Sequence, residues 1–81
     1  MEDRLQDMVS FIAKALVDDP DAVEVNAVDG ERAVILELTV GEGDLGKVIG
    51  KDGRTARAMR TLLAATSAKG STKRAVLEIL E

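Results

Sequence analysis

The chain has 81 residues, enough for one small domain spanning 1–81 but not for a second hydrophobic core. It contains no cysteine and no histidine, which excludes disulfides and cysteine-based zinc sites and removes the commonest general base and metal ligand. We therefore expect no catalytic site, no bound metal and no cofactor. No apolar run is long enough to span a membrane and the N-terminus lacks an apolar signal core, so a cytoplasmic protein is expected.

The formal net charge of −4 conceals an uneven distribution along the chain. Residues 46–74 hold eight basic residues and one acid, a net charge of +7, whereas the remainder holds three basic residues and fourteen acids, a net charge of −11. We expect one face that attracts polyanions, although two solvated surfaces of opposite sign would give the same distribution.

A first helix is predicted over about residues 3–18. Its support is an apolar stripe at helical spacing, formed by Leu5, Met8, Ile12 and Leu16. Pro20 limits the helix, because the residue before a proline avoids the α region. Phe11, the only aromatic residue of the chain, is expected to pack in the core.

A β-hairpin is predicted next. Its first strand alternates apolar and polar residues from Val23 to Ala27, as a half-buried strand does, and Asp29-Gly30 is a strong signal for a hairpin turn. The second strand, about residues 32–40, places four apolar residues on one face, namely Val34, Leu36, Leu38 and Val40. Its other face is only partly polar, which suits the central strand of a sheet.

Residues 41–46 match G-x-G-x-x-G directly after a strand, where a dinucleotide-binding unit places its glycines. Carboxylates at Glu42 and Asp44 would lie beside the pyrophosphate, however, and no acidic residue follows at the distance needed to bind the ribose. A Walker A loop also fails, because Asp52 stands where Ser or Thr must hold magnesium. We therefore interpret this segment as a turn, with Asp44 capping a short helix that ends at Ile49.

The nine residues 46–54, GKVIGKDGR, carry the strongest functional signal. Gly50 and Gly53 enclose two polar residues after an apolar Val-Ile pair. Glycine permits positive φ and close approach by another molecule, and Lys51 and Arg54 add positive charge. We interpret the segment as a backbone clamp for a nucleic-acid strand, and a tight helix–helix turn that merely needs glycines is the alternative.

A longer helix is predicted over about residues 54–68. Basic residues fall on one arc and apolar residues on another: Arg54, Arg57 and Arg60 against Ala56, Met59, Leu62 and Leu63. Lys69 and Gly70 are expected to end this helix. Alternation over residues 73–80 then predicts a final strand.

The predicted order is therefore helix, strand, strand, short helix, GxxG loop, helix, strand. The second and last strands are joined by a two-helix crossover and can lie parallel, while the hairpin supplies an antiparallel neighbour. We expect an α+β fold, α-β-β-α-α-β, in which three helices pack on one face of a three-stranded mixed sheet.

Residues 48–54, VIGKDGR, resemble the VIGxxG signature of KH domains, and the element order is similar to the type II, prokaryotic form of that fold. The resemblance covers essentially the whole chain and extends to small bacterial proteins made of one KH domain. It implies binding of single-stranded RNA, because a KH loop clamps about four nucleotides with its GXXG segment against the backbone. The RNA-binding residues that it implies are Lys47, Val48, Ile49, Gly50, Lys51, Asp52, Gly53, Arg54 and Arg57.

Under this resemblance, amides at the start of the following helix and the nearby cations would attract phosphates. Val48 and Ile49, with apolar side chains of the second strand, would form the floor on which bases rest. Asp52 departs from a purely basic loop: it could point to solvent, cap the following helix or weaken binding. So short a groove contacts few phosphates, so weak affinity is expected.

A weak module gains affinity by linkage to a second one. The resemblance implies a homodimer, or a heterodimer with a larger KH protein of the KhpB (Jag/EloR) type. Such pairs are expected in post-transcriptional regulation, RNA chaperoning and the control of cell elongation, cell shape and the cell wall. The alternative is a protein-interaction or dimerisation module that keeps the KH fold but binds little RNA itself, with the apolar arc of the long helix or the loop as its contact surface.

Overall fold

The computed structural model describes residues 2–70 and 73–81, with the side chains of residues 4–67 and 73–81. The helices are α1 (Glu2–Leu16), α2 (Leu45–Ile49) and α3 (Arg54–Gly70), and the strands are β1 (Glu24–Asp29), β2 (Ala33–Thr39) and β3 (Arg74–Ile79). Short 3-10 turns occupy Pro20–Ala22 and Lys51–Gly53. The predicted order is confirmed, although α3 continues through Gly70 instead of ending before it. None of these described helices is long and apolar enough to cross a membrane.

The three strands form one mixed sheet in the order β1-β2-β3. β1 runs antiparallel to β2, and β2 runs parallel to β3, with Ala27, Leu36 and Leu77 aligned across the sheet. The α2–α3 crossover between β2 and β3 makes the parallel pairing possible. The α+β fold of the type II KH domain is thereby confirmed.

One core lies between the sheet and the helices. Along β2, burial alternates: Val34, Leu36 and Leu38 are buried, whereas the intervening side chains are only half-buried. This is the period of two that a central strand with one covered face shows. The deepest core side chains come from all the layers, namely Val9, Leu36, Leu38, Val48 and Leu63.

The expectation that Phe11 packs in the core is wrong. The buried stripe of α1 is formed by Leu5, Val9 and Ala13, while Phe11 is 76% exposed. Successive helical residues are rotated by about 100°, so Phe11 lies about 200° around α1 from Val9. Phe11 therefore points away from the sheet, because Val9 lies on the side of α1 that faces the core.

The hairpin turn lies two residues beyond the predicted position. Asp29 still pairs with Val34, and the Gly30 N–H donates to the Ala33 carbonyl oxygen at 2.8 Å. The apex is therefore Glu31-Arg32. A Cβ on Gly30 would be 2.9 Å from that carbonyl oxygen, so the glycine is needed where the strands begin to separate, not at the apex.

Candidate nucleic-acid interface

Asp44 precedes α2 but does not cap it with its side chain. Its carboxylate is buried and accepts a hydrogen bond from the Asp19 N–H at 3.0 Å, while no side-chain bond to the amides of α2 forms. The predicted capping role is therefore wrong, because the amide in the loop after α1 takes the carboxylate instead. The bond joins that loop to the start of α2, the helix that leads into the GxxG loop.

The GxxG loop is a sharp turn between α2 and α3. The Gly50 N–H donates to the Gly46 carbonyl oxygen at 2.9 Å and ends α2, and the Gly53 N–H donates to the Gly50 carbonyl oxygen at 3.1 Å. Positive φ occurs at Gly50 (78°), Asp52 (57°) and Gly53 (73°). Three positive φ values within four residues reverse the chain in one tight turn, and glycine provides two of them without steric strain.

The two glycines of the loop have different surroundings. A Cβ on Gly50 would lie 2.2 Å from Thr55 Oγ1, so Gly50 packs directly against the first turn of α3. A Cβ on Gly53 would meet no atom within 4 Å. Close packing within the protein therefore accounts for the glycine at position 50, as the alternative of a tight helix–helix turn supposes. Packing does not account for Gly53, where the space that a Cβ would occupy is open to another molecule.

The cations around the loop differ in their partners. Lys51 and Arg54 are exposed and form no ion pair with any other described residue. Lys47 lies on the outer side of α2, where its Nζ is 3.4 Å from an Asp18 carboxylate oxygen. Two of the predicted cations are therefore free for an anionic ligand beside Gly53, and a third is shared with an acid.

Asp52 has its backbone in the left-handed region and its side chain in solvent. Its carboxylate makes no hydrogen bond with the described part of the chain, so the possibility that it caps α3 is not realised. Its carbonyl oxygen accepts a long hydrogen bond, 3.4 Å, from the Arg57 guanidinium. Arg57 thus reaches back from α3 to the end of the loop.

The apolar pair before the loop divides between core and surface. Val48 is fully buried, so its side chain supports α2 from below and is closed to a ligand. Ile49 is half-buried and lines a surface groove. The expected apolar contribution of β2 to that groove is not found, because Val34, Leu36 and Leu38 lie in the core; Ile79 of β3 takes that place.

The groove runs from the loop along the flank of α3 to the end of β3 and encloses about 520 Å³. Its lining residues are Ile49, Gly53, Ala56, Arg57, Arg60, Ile79 and Glu81. Three of the predicted site residues, Ile49, Gly53 and Arg57, therefore meet there. The sequence prediction of the site omitted the other four, Ala56, Arg60, Ile79 and Glu81.

Two patterns in the sequence could have identified three of the omitted residues, Arg60, Ile79 and Glu81. Arg60 lies one helical turn beyond Arg57 on the same arc of α3. The period of two places Ile79 and Glu81 on the sheet face that carries the buried Leu77. Neither pattern indicates that the flank of α3 lies beside the end of β3. That proximity depends on how the α2–α3 crossover packs against the sheet.

Chemically, the interface combines three features. An open glycine backbone and the first turn of α3 lie at one end, where amide dipoles favour negative charge. Arg57 and Arg60 add positive charge to the lining of the groove, and Ile49 and Ile79 add apolar side chains. Such a surface suits a flexible chain with anionic links and flat apolar groups.

Comparisons with known proteins agree with this architecture. The family model for the KH domain of KhpA and KhpB matches residues 6–79. The protein named RNA-binding protein KhpA from Caldanaerobacter subterraneus subsp. tengcongensis is 54% identical over 91% of this chain and 97% of its own length. The proteins of the same name from Aquifex aeolicus and Borreliella burgdorferi are 54% and 51% identical, over 95% and 93% of this chain and 96% and 90% of their own lengths.

No solved protein structure gives a significant match to the chain. The relatives bear the names of RNA-binding proteins and not of enzymes, in agreement with the expectation of no catalytic site. Their identity extends over nearly the full length of both chains, and the family model begins in α1 and ends in β3. The chain therefore belongs to the KhpA/KhpB family of KH-domain proteins.

Proposed function

We propose that this protein binds single-stranded RNA through the GxxG loop, residues 50–53, and the groove between α3 and β3. The observation that carries the proposal is the open space at Gly53 beside two cations, Lys51 and Arg54, that form no ion pair with any residue the structure describes. On the side of Gly53 where a Cβ would stand, no atom other than those of its chain neighbours lies within 4 Å, so a phosphodiester can approach the backbone there. The start of α3 supplies favourable dipoles.

The groove binds the part of the RNA strand that lies beyond the GxxG loop. Bases that leave the loop enter a trough with apolar walls at Ile49 and Ile79 and positive charge at Arg57 and Arg60. Single-stranded RNA can present unstacked bases to such a surface, whereas a duplex keeps them stacked. No aromatic side chain lines the groove, so van der Waals contact and hydrogen bonds to base edges replace aromatic stacking.

The names of the relatives support the same ligand, since proteins 51–54% identical to this chain are named RNA-binding proteins. As part of this proposal, the protein acts in the cytoplasm as a post-transcriptional regulator or RNA chaperone. Because the groove is short, we expect weak binding that falls moderately as salt is raised.

The test is a titration of unstructured RNA strands with the wild type and with the double variant Lys51→Asp, Gly53→Asp. The open space at Gly53 and the tolerance of Asp for positive φ allow this loop to fold with the new side chain. We expect at least about a tenfold loss of affinity at low salt, since two cation or backbone contacts are replaced by repulsion. Circular dichroism checks that the variant is folded.

The matched control is Arg32→Asp, Gly43→Asp, which changes the net charge by the same amount away from the loop. Arg32 lies at the exposed hairpin apex, and Gly43 has positive φ with open space around it, as Gly53 does. The control should lose much less affinity than the loop variant. Equal binding by the folded loop variant and the wild type would exclude the loop as the clamp.

A second candidate function is protein interaction, favoured by an exposed apolar flank of α3. Leu62 is 48% exposed, between the exposed Ala58 and Ala65 one turn to either side. We propose this flank for a homodimer or for pairing with a larger KH protein of the KhpB type. Sedimentation of the wild type and Leu62→Asp over a range of concentrations tests self-association, and a monomer at every concentration would leave only the heterodimer.

A further inference from the structure

The lining of the groove includes an acidic residue, which electrostatic attraction of RNA does not explain. Glu81 lines it together with Arg57 and Arg60. The Leu80 N–H donates to the Leu38 carbonyl oxygen at 2.9 Å, which extends the β3 ladder past Ile79. Glu81 is thus held at the far end of the groove, on the same side as Ile79.

This carboxylate is not used within the protein. Glu81 is exposed and makes neither an ion pair nor a hydrogen bond with the described residues, although two guanidinium groups line the same groove. A free carboxylate repels the phosphates of every RNA sequence equally. It favours binding only where the ligand presents hydrogen-bond donors to it, because an ionised carboxylate is purely an acceptor.

We propose that Glu81 determines base preference in this groove by selecting a base with donor groups on its edge, guanine above all, and rejecting uracil. This inference rests on the proposed RNA-binding function. Guanine presents two adjacent N–H donors, from the ring and from the exocyclic amine, to the two oxygens of one carboxylate. Cytosine and adenine present an amine, as in the pairing of Glu with cytosine N4 in DNA.

Uracil presents a single N–H between two carbonyl oxygens, and those oxygens would lie against the carboxylate. Arg60, which lines the same groove, strengthens the preference, since a guanidinium donates to the O6 and N7 acceptors of guanine. A carboxylate and a guanidinium in the lining of one groove therefore complement a base that carries donors on one edge and acceptors on another.

The experiment compares short oligouridine strands that carry one central guanine, adenine or cytosine with the all-uridine strand, by fluorescence anisotropy. For the wild type we expect the guanine strand to bind about five- to tenfold more tightly than the uridine strand, a typical effect of one bidentate base contact. In Glu81→Gln the ratio should fall below about twofold, because the amide offers a donor as well as an acceptor and accommodates uracil.

Glu78→Gln is the matched control. Glu78 lies on the same strand and is exposed, but it belongs to the opposite face of the sheet. Both substitutions remove one negative charge. Glu78→Gln should therefore gain affinity about equally for all strands and keep the preference for guanine, whereas Glu81→Gln should gain affinity for the uridine strand but not for the guanine strand. The ratio of affinities, not the affinity itself, reports base selection.

An unchanged guanine-to-uridine ratio in Glu81→Gln, or a wild type that binds all four strands equally, would overturn the role of Glu81 while leaving RNA binding intact. A wild type that binds none of the strands, at low salt and with the fold verified, would overturn both this inference and the proposed function.

Discussion

Gly50 and Thr55 are in such close contact that only glycine fits at the first position. A Cβ on Gly50 would lie 2.2 Å from Thr55 Oγ1, 2.7 Å from its Cβ and 2.8 Å from its backbone nitrogen. Gly50 also has φ 78° and ψ 169°, a region that essentially only glycine occupies. The contact holds α2 and α3 together at the GxxG loop, so the loop geometry and the fold depend on the same residue.

The two glycines of the loop should therefore respond differently to a methyl group. We expect Gly50→Ala to lower the free energy of unfolding by about 3 kcal/mol or more, from backbone strain and steric overlap. Gly53→Ala should lower it by only about 1–2 kcal/mol, the cost of left-handed backbone without a clash. Urea unfolding followed by circular dichroism measures both.

A control separates the side chain of Thr55 from its backbone. Thr55→Ala removes Oγ1 but leaves the backbone nitrogen 2.8 Å from the added methyl group, so it should restore only a small part of the stability of Gly50→Ala. Equal destabilisation by Gly50→Ala and Gly53→Ala would contradict the assignment of Gly50 to packing.

Asp44 provides a test of the link between the loop after α1 and α2. Asp44→Ala removes the acceptor of the Asp19 N–H in a buried site and should destabilise the protein by about 1–3 kcal/mol. Asp44→Asn keeps an oxygen at that position and should cost less. A similar loss in both variants would indicate that the charge, not the hydrogen bond, is what α2 requires.

The outward direction of Phe11 has a direct consequence for stability. Since the side chain is 76% exposed, we expect Phe11→Ala to change the free energy of unfolding by less than about 0.5 kcal/mol. Leu36→Ala, in the core, should cost about 2–5 kcal/mol. Thermal or urea unfolding compares the two, and a loss of several kcal/mol in Phe11→Ala would place the ring in contacts that the structure does not contain.

The features that could be predicted from the sequence are those that depend on local periodicity and on chain connectivity. Alternation in β2 and the two-helix crossover were sufficient for the strand order and for the mixed sheet. Phe11 was misplaced because the apolar residues of α1 are spread around much of the helix, and the choice among them depends on which side meets the sheet. The capping role of Asp44 was predicted wrongly because the Asp19 amide, distant in sequence but close in the fold, binds its carboxylate instead.

The same distinction applies to the candidate site. The GxxG loop was predictable because its glycines and cations are consecutive in the chain. The groove was not, because its walls come from α3 and from the end of β3, and their separation is a result of packing. The sequence likewise gave no indication that Lys47 is shared with Asp18, since the two residues lie on different elements.

That ion pair leads to a prediction about RNA affinity. The Lys47 Nζ lies 3.4 Å from the Asp18 carboxylate, and the two side chains are 42% and 82% exposed. A surface pair of this kind contributes little to stability. Lys47 nevertheless attracts a phosphate less strongly while the Asp18 carboxylate lies beside it. Asp18→Asn should therefore raise RNA affinity by about two- to threefold at low salt and change the free energy of unfolding by less than about 0.5 kcal/mol.

Asp7→Asn is the control, because it removes the same charge from an exposed position on α1 where no ion pair with another described residue forms. Anisotropy titrations at several salt concentrations measure both variants. The gain in Asp18→Asn should exceed the gain in Asp7→Asn at low salt, and the difference should shrink as salt screens the exposed charges. If the two variants gain equally, only the net charge has changed, and Lys47 takes no part in binding the strand.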